Sequence, residues 1–402
     1  MRMIRAVAIM LALTVTITLV GCVSYVDLSD RAIVQAIGID YLPDKKVYRI
    51  SMQYFNQSSE GGQNQIDKTQ DNVLKSVGEG ESIFEAAKNA SMLTGKDLLL
   101  SENRLIIIGK ELRKYKLGDT LEFFVGNYHS HPQAYVAAAE DTAEELLDIR
   151  FKEGSTSSQR LANLIHNASV ESRNKSTYPY QVMTMLCTST ESAFLPLLRT
   201  ATLKTDVTIP KETGGGKGNG GGEEQSEDGE KTIILDGGVV FKGGKELCRV
   251  DDDGAMAIFF MNDMPSEYSF TVPLGQNAKP SVMLIGVTRS IKATEYNGKV
   301  KFDVSFSASG KIGSKGGMKE DDKKAAEKVA EPAERELKRK IESSMIPIAE
   351  KGCDVFGLEN TLRRCCNRFY RENMDRVEEI IAESEIEVNV NIDIFSQGIG
   401  GA

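Results

Sequence analysis

Between residues 214 and 230 the chain reads GGGKGNGGGEEQSEDGE, and no packed element can include that run. Eight of the seventeen residues are Gly and the second half is acidic. Such a segment buries too little apolar area to offset the entropy of ordering it. It is a linker or a long exposed loop, so folding must proceed on either side of it. Gly216, Gly218 and Gly221 satisfy the spacing G-x-G-x-x-G. No strand leads into them and no helix leads out, so they carry no dinucleotide reading.

The N-terminus bears on compartment. Arg2 and Arg5 precede fifteen uncharged residues, 6–20 (AVAIMLALTVTITLV), followed by Leu19-Val20-Gly21-Cys22 at the boundary. That length fits a signal peptide and falls short of a span of about 20 residues. The tetrad resembles a bacterial lipobox. In that chemistry the Cys22 thiol takes diacylglycerol, the peptidase cuts before Cys22, and the new amino terminus is acylated. Two or three chains anchor stably where one does not. The alternative is an uncleaved anchor, because the uncharged run continues as far as Asp27. Loss of residues 1–21 moves the net charge from −9 to −11. The expected organisation is then a lipoprotein signal (1–21), an N-terminal α/β region (22–205), a Gly/Glu-rich flexible linker (206–230) and a C-terminal α+β domain (231–396).

Periodicity supplies the elements. Residues 32–40 (AIVQAIGID) form a buried apolar strand. Residues 47–55 alternate with period two and pair with it across Pro43-Asp44. Residues 56–68 are a polar loop. Helical faces occur at 82–93, with Ile83, Phe84, Ala86, Ala87, Ala90 and Leu93, at 112–125, and at 142–149. Short strands occur at 104–108 and 134–139. After the Gly-rich run, residues 233–241 and 245–250 flank Gly243-Gly244. Residues 281–294 and 299–307 flank Asn297-Gly298. Both are hairpin signals. Residues 320–350 are helical, with Leu337, Ile341, Met345 and Ile348 in one stripe and Pro332 interrupting the early part. A helix at 373–384 and a perfectly alternating strand at 386–394 complete the chain. The expected class is α+β, multi-domain, with helices packed on antiparallel or mixed sheets.

Catalytic chemistry is absent from the motifs. The chain has no G-x-S-x-G, H-E-x-x-H, Walker A or spaced C-x-x-C pair. His129 and His131 share a strand face without a third ligand, and His166 stands alone, so no metal site is expected. Asp251-Asp252-Asp253-Gly254 lacks the closing Glu of a calcium loop and reads as a solvated turn. Cys187, Cys248, Cys353, Cys365 and Cys366 are odd in number. The sequence leaves open a bridge from Cys365 or Cys366 to Cys353, with buried thiols as the default. Neither a cofactor nor an enzymatic activity is expected. A net charge of −9 disfavours nucleic acid, which needs a basic face, and the lack of Trp with only three His leaves aromatic sugar platforms and multi-His metal sites poorly supplied.

Several segments together resemble the Ger(x)C proteins, the C subunits of spore germinant receptors. They are DRAIVQAIGID (30–40) after Cys22, LLLSENRLIIIGKEL (98–112), LEFF (121–124), AYVAAAEDTAEELL (134–147), GGVVFKGGKEL (237–247) and CDVFGL (353–358). The Trp-Asp pair common after the family's lipid Cys is replaced here by VSYVD (23–27). The resemblance implies a non-enzymatic lipoprotein subunit required for nutrient-triggered germination. It would be lipidated at Cys22 and held on the outer face of the inner spore membrane beside polytopic A and B subunits. The competing class is an extracytoplasmic solute-binding lipoprotein, which predicts two doubly wound lobes around a cleft.

Overall fold

The computed structural model describes residues 30–55, 73–126, 130–149, 151, 156–203, 230–275 and 278–395, with Met3 and Arg5. The Cys22 region, His129 and residues 204–229 of the Gly/Glu-rich segment lie outside the described residues.

The first half contains strands β1 (Arg31–Leu42), β2 (Val47–Phe55) and β3 (Val73–Gly80), then helix α1 (Ile83–Thr94). Strands β4 (Asp97–Leu99) and β5 (Leu105–Ile108), helix α2 (Leu117–Gly126), strand β6 (Tyr135–Ala139) and helix α3 (Ala143–Asp148) follow. Helices α4 (Ser157–Val170) and α5 (Pro179–Leu186) lead into β7 (Ala193–Leu203). Strands β8 (Glu230–Lys242) and β9 (Lys245–Val250) extend the same sheet, whose order is β3-β2-β1-β5-β6-β7-β8-β9 with β4 beside β1. The centre, β1-β5-β6-β7, is parallel, and antiparallel hairpins close both sides.

A parallel strand with helices on both faces has no polar side, which explains the unbroken apolar runs of β1, β5 and β6. Alternation still sorts their side chains. Ile106, Ile108, Val136 and Ala138 pack with Ala86 and Ala90 of α1 and Leu121 of α2. Leu105, Ile107, Ala137 and Ala139 pack with Leu146 of α3 and Leu161 of α4 on the other face.

Helix α6 (Asp252–Asn262) leads to a second sheet, β10 (Glu267–Thr271), β11 (Ser281–Tyr296), β12 (Lys299–Ser314) and β13 (Glu385–Ile394), in that order. β10, β11 and β12 are antiparallel, and β13 runs parallel to β12. Between β12 and β13 come α7 (Asp322–Ala349), α8 (Leu358–Cys365), α9 (Asn367–Glu372) and α10 (Val377–Glu383). Val329, Ala333, Leu337, Ile341 and Met345 of α7 cover Phe302, Val304, Val388 and Ile392. The α+β class holds, with mixed sheets and helices laid on them.

The Gly/Glu-rich segment joins β7 to β8, which pair antiparallel from Ala193↔Phe241 to Leu203↔Glu230 with a register shift between Pro196 and Leu198. Hydrogen bonding therefore runs across the expected boundary at residues 206–230, and the hairpin β8–β9 finishes the first sheet. Two expectations differ from the structure, those for Pro332 and for Asp251 to Asp253. Pro332 does not interrupt α7, which contains both Pro332 and Pro347. An internal Pro costs about 3 kcal/mol, and the buried stripe along the helix offsets it. Asp251 to Asp253 are not a solvated turn but the start of α6. The Asp251 side chain accepts the Gly254 N–H as N-cap, and Asp252 Oδ1 accepts the N–H of Gly237 (2.9 Å). Gly237 has φ +57, and a Cβ there would lie 2.0 Å from the Val250 carbonyl oxygen, so this close approach requires glycine.

Candidate functional site

Two buried aspartates hold helix starts from a distance. Asp40, at the end of β1, accepts the N–H groups of Ala143 (2.8 Å) and Glu144 (3.1 Å) at the head of α3. Asp354 accepts those of Leu358 and Glu359, both at 2.8 Å, at the head of α8. Burial raises the pKa of each, and the accepted N–H bonds oppose that rise. Gly357, with φ +76, allows the chain to turn so that Asp354 faces the helix behind it. The segment CDVFGL is thus a remote helix cap.

The same segment stitches the two sheets together. The Asp354 N–H donates to Ser192 Oγ (3.0 Å), just before β7. Glu359 accepts from the Ser189 N–H (3.1 Å), the Ser189 hydroxyl (2.6 Å) and the Tyr370 hydroxyl (3.0 Å). Asn262 of α6 donates to the Val355 carbonyl (2.7 Å), and Lys242 Nζ to the Lys351 carbonyl (2.8 Å). Each buried polar group in this list has a partner, as a permanent seam requires. Chain reading missed Ser189, Ser192, Glu359 and Tyr370. Their partners lie up to 170 residues away, and no local pattern marks such a pairing.

No catalytic constellation emerges from the residues weighed in the sequence. His131 Nδ1 accepts the Gln133 N–H (3.1 Å) inside a turn, and exposed His166 shares a hydrogen bond with the Tyr135 hydroxyl (3.1 Å). Among the described residues no group of three or more His, Cys, Asp or Glu is placed to hold a metal ion. All five described cysteines are free thiols, so Cys353 is bridged to neither Cys365 nor Cys366. Burial fits the default for Cys353, whose thiol burial pushes up to about 12, while Cys187 and Cys365 are exposed. Among the described residues no helix is long and apolar enough to cross a membrane.

What the surface does offer is an apolar patch over α1 and α2. Phe84 was expected on the buried face of α1 but is 66% exposed. The buried stripe is Ile83, Ala86, Ala87 and Ala90, and Phe84 falls one residue outside it. Leu93, in the last turn of α1, is also exposed. Phe84 meets Phe123 of α2 edge to face, with ring centroids 6.4 Å apart. Glu81, Asp119 and Glu122 line the shallow groove beside the two rings. Exposed aromatic pairs ringed by charge mark contact sites more often than chemistry.

Comparison with known proteins finds relatives of this chain. The chain matches the family profile described as spore germination protein N-terminal domain over residues 24–200. It matches a second, spore germination B3/GerAC like, C-terminal, over residues 236–398. It is 31% identical over 149 residues to spore germination protein KC of Bacillus subtilis (strain 168), covering 35% of this chain and 35% of that protein. The match therefore spans about a third of the relative's length. The crystal structure of the GerBC protein superposes with a TM-score of 0.51 at 13% identity, over 89% of this chain and 96% of that one. That last likeness is one of fold.

Proposed function

We propose a function from the premise that this chain belongs to the GerAC-like family of spore germination proteins. It is the C subunit of a spore germinant receptor, required for the response to nutrients, and it acts by protein contact without catalysis. The observation that carries this reading is the match of both family profiles, in order, along most of the chain. Its partners are the receptor's polytopic A and B subunits. Its place is the outer face of the inner spore membrane, where diacylglycerol on Cys22 holds it.

Physical supports are modest and point the same way. Only eight residues separate Cys22 from Arg31, the first residue of β1. A fully extended chain covers about 3.3–3.6 Å per residue, so the head would stay within roughly 30 Å of its anchor. Tethering raises the effective concentration of partners, so a small contact can suffice. The Phe84 and Phe123 patch is that contact, and its acidic rim suits a basic, apolar segment of a partner subunit.

The experiment is deletion of the gene from the spore former that carries it. Spores lose the response to one germinant class and still germinate by routes that bypass receptors. Complementation by the native gene restores the response, and Cys22→Ala leaves precursor of unmodified mass. Normal germination of deletion spores with every nutrient, in a strain without paralogues, contradicts the reading.

A further inference from the structure

A cleft of about 600 Å³ opens where the end of α4, β8, the start of α6, β10 and the middle of α7 converge. That volume lies within the usual range of small-molecule sites, about 300–1,000 Å³. It is separate from the Phe84 patch and from the seam around Asp354, and neither reading uses it.

Its charge is lopsided. Glu171, Asp252, Asp253 and Glu336 line it against Arg173 and Lys340. The pairs Arg173–Glu171 (3.0 Å) and Lys340–Asp253 (2.5 Å) neutralise each other, and Glu336 is held by Arg339 from α7 (2.6 Å). Asp252, which is exposed at the mouth of the cleft, forms no ion pair among the described residues. Its Oδ1 accepts the Gly237 N–H, and its second oxygen has no partner there.

A second, independent observation marks the same space. Tyr268 is only 6% exposed, and its ring is fixed by Phe260 (centroids 5.3 Å apart, edge to face) and Phe270 (5.7 Å, stacked). Its hydroxyl nevertheless has no hydrogen-bond partner among the described residues. The ring is buried, but the hydroxyl oxygen is not among the fully buried unpaired atoms, so it opens onto the cleft that Tyr268 lines. Burial raises its pKa, and the charges that act on it next are those of Asp253, Arg173, Asp252 and Glu336, all of them in the cleft wall. Phe270 and Met256 supply apolar wall beside it.

We propose that this cleft binds a small organic solute through a primary ammonium group, held by the Asp252 carboxylate and the Tyr268 hydroxyl. An ammonium offers three donors and one positive charge, which matches an uncompensated carboxylate and a free hydroxyl acceptor. The carbon chain lies against Phe270 and Met256. A divalent cation fits less well, because Lys340 and Arg173 share the site and the described residues hold no cluster arranged for a metal. This inference does not depend on the germination reading.

The test is calorimetric titration of the full-length chain, extracted from membranes, with n-butylammonium, n-butanol and butyrate. Butylammonium binds saturably, and the neutral and anionic probes bind at least about tenfold more weakly, because they leave Asp252 without its charge partner. Tyr268→Phe keeps the ring packing and removes only the hydroxyl, and it weakens butylammonium by about fivefold to tenfold, the size of one hydrogen bond. Asp252→Asn weakens it further. Thermal unfolding of each variant reports whether it is folded, and if neither folds the three probes on the native chain decide. No saturable butylammonium binding, equal binding of all three probes, or unchanged affinity in both folded variants overturns the proposal.

Discussion

In the first sheet, β5 and β6 are covered by helices on both faces. In the second, α7 covers one face of β12 and β13 and leaves the other to solvent. All four residues of β5 are buried. Along β12, Val300, Phe302, Val304 and Phe306 are buried, while Ser307 and Ser309 are exposed and Ser305 is half-buried. Asn389 and Asn391 of β13 continue the exposed side, paired with Ser305 and Ser307. The segments that resemble the Ger(x)C family mostly lie in the doubly covered sheet: β1, β4 and β5, α2, β6 with α3, and the hairpin β8–β9. The remaining one, CDVFGL, is the seam. Buried positions accept few residue types, and exposed strand faces accept many. The family signature in this chain is therefore a signature of its fold, and it says little about which surface meets a partner.

That contrast can be broken by substitution. The largest effect is expected for Ile107→Asp in β5, where no exposed side exists. It buries an unpaired carboxylate, costs more than about 4 kcal/mol and leaves the chain unfolded by circular dichroism. If it folds and melts like the native chain, the double burial is wrong.

A smaller effect belongs to the seam. Asp354→Asn keeps one acceptor for the head of α8 and loses the other, at a cost of about 1–3 kcal/mol in urea unfolding. The same variant carries a pH signature. Burial raises the Asp354 pKa above its unfolded value, so the folded state binds a proton over a window where the unfolded chain has lost it. Stability from this group is full below the unfolded pKa and falls as pH rises through the folded one. Asparagine has no such proton, so the native chain loses stability relative to Asp354→Asn as pH climbs through that window. A difference that is flat with pH, or that grows the other way, refutes the assignment.

The smallest effect is on the open face. Ser307→Asp changes stability by no more than about 0.5 kcal/mol, since its side chain meets solvent. A cost of several kcal/mol there would mean that something covers this face.

Much of this architecture was legible in the chain, for identifiable reasons. Period two marked β2, β12 and β13, and continuous apolar runs marked β1 and β5. Gly243-Gly244 and Asn297-Gly298 sit at positive φ in the turns they predicted. The stripe of α7 was visible from Leu337 to Ile348. Helix α6 was not, because Gly254 to Met261 are all buried and a helix apolar on every side has no period to detect. Helices α4 and α5 and strands β3 and β7 carry no comparably clear period in the chain. The pairing of β7 with β8 was hidden by the segment between them, since sequence distance carries no register. The apolar patch was obscured by Phe84 itself, which as an apolar helix residue counts toward the core until the alanine stripe fixes the helix rotation.

The proposed role at the membrane requires contact made by the folded head. The most direct measurement is affinity purification of the tagged full chain from spore membranes, comparing native protein with Phe84→Asp at matched abundance. The native chain is expected to bring down both polytopic receptor subunits. Phe84→Asp, unfolding at the same temperature, should retain less than about a tenth of them, a loss of roughly 1.4 kcal/mol or more. Equal recovery by the two chains would contradict the contact surface, and recovery of neither subunit by the native chain would contradict the account as a whole.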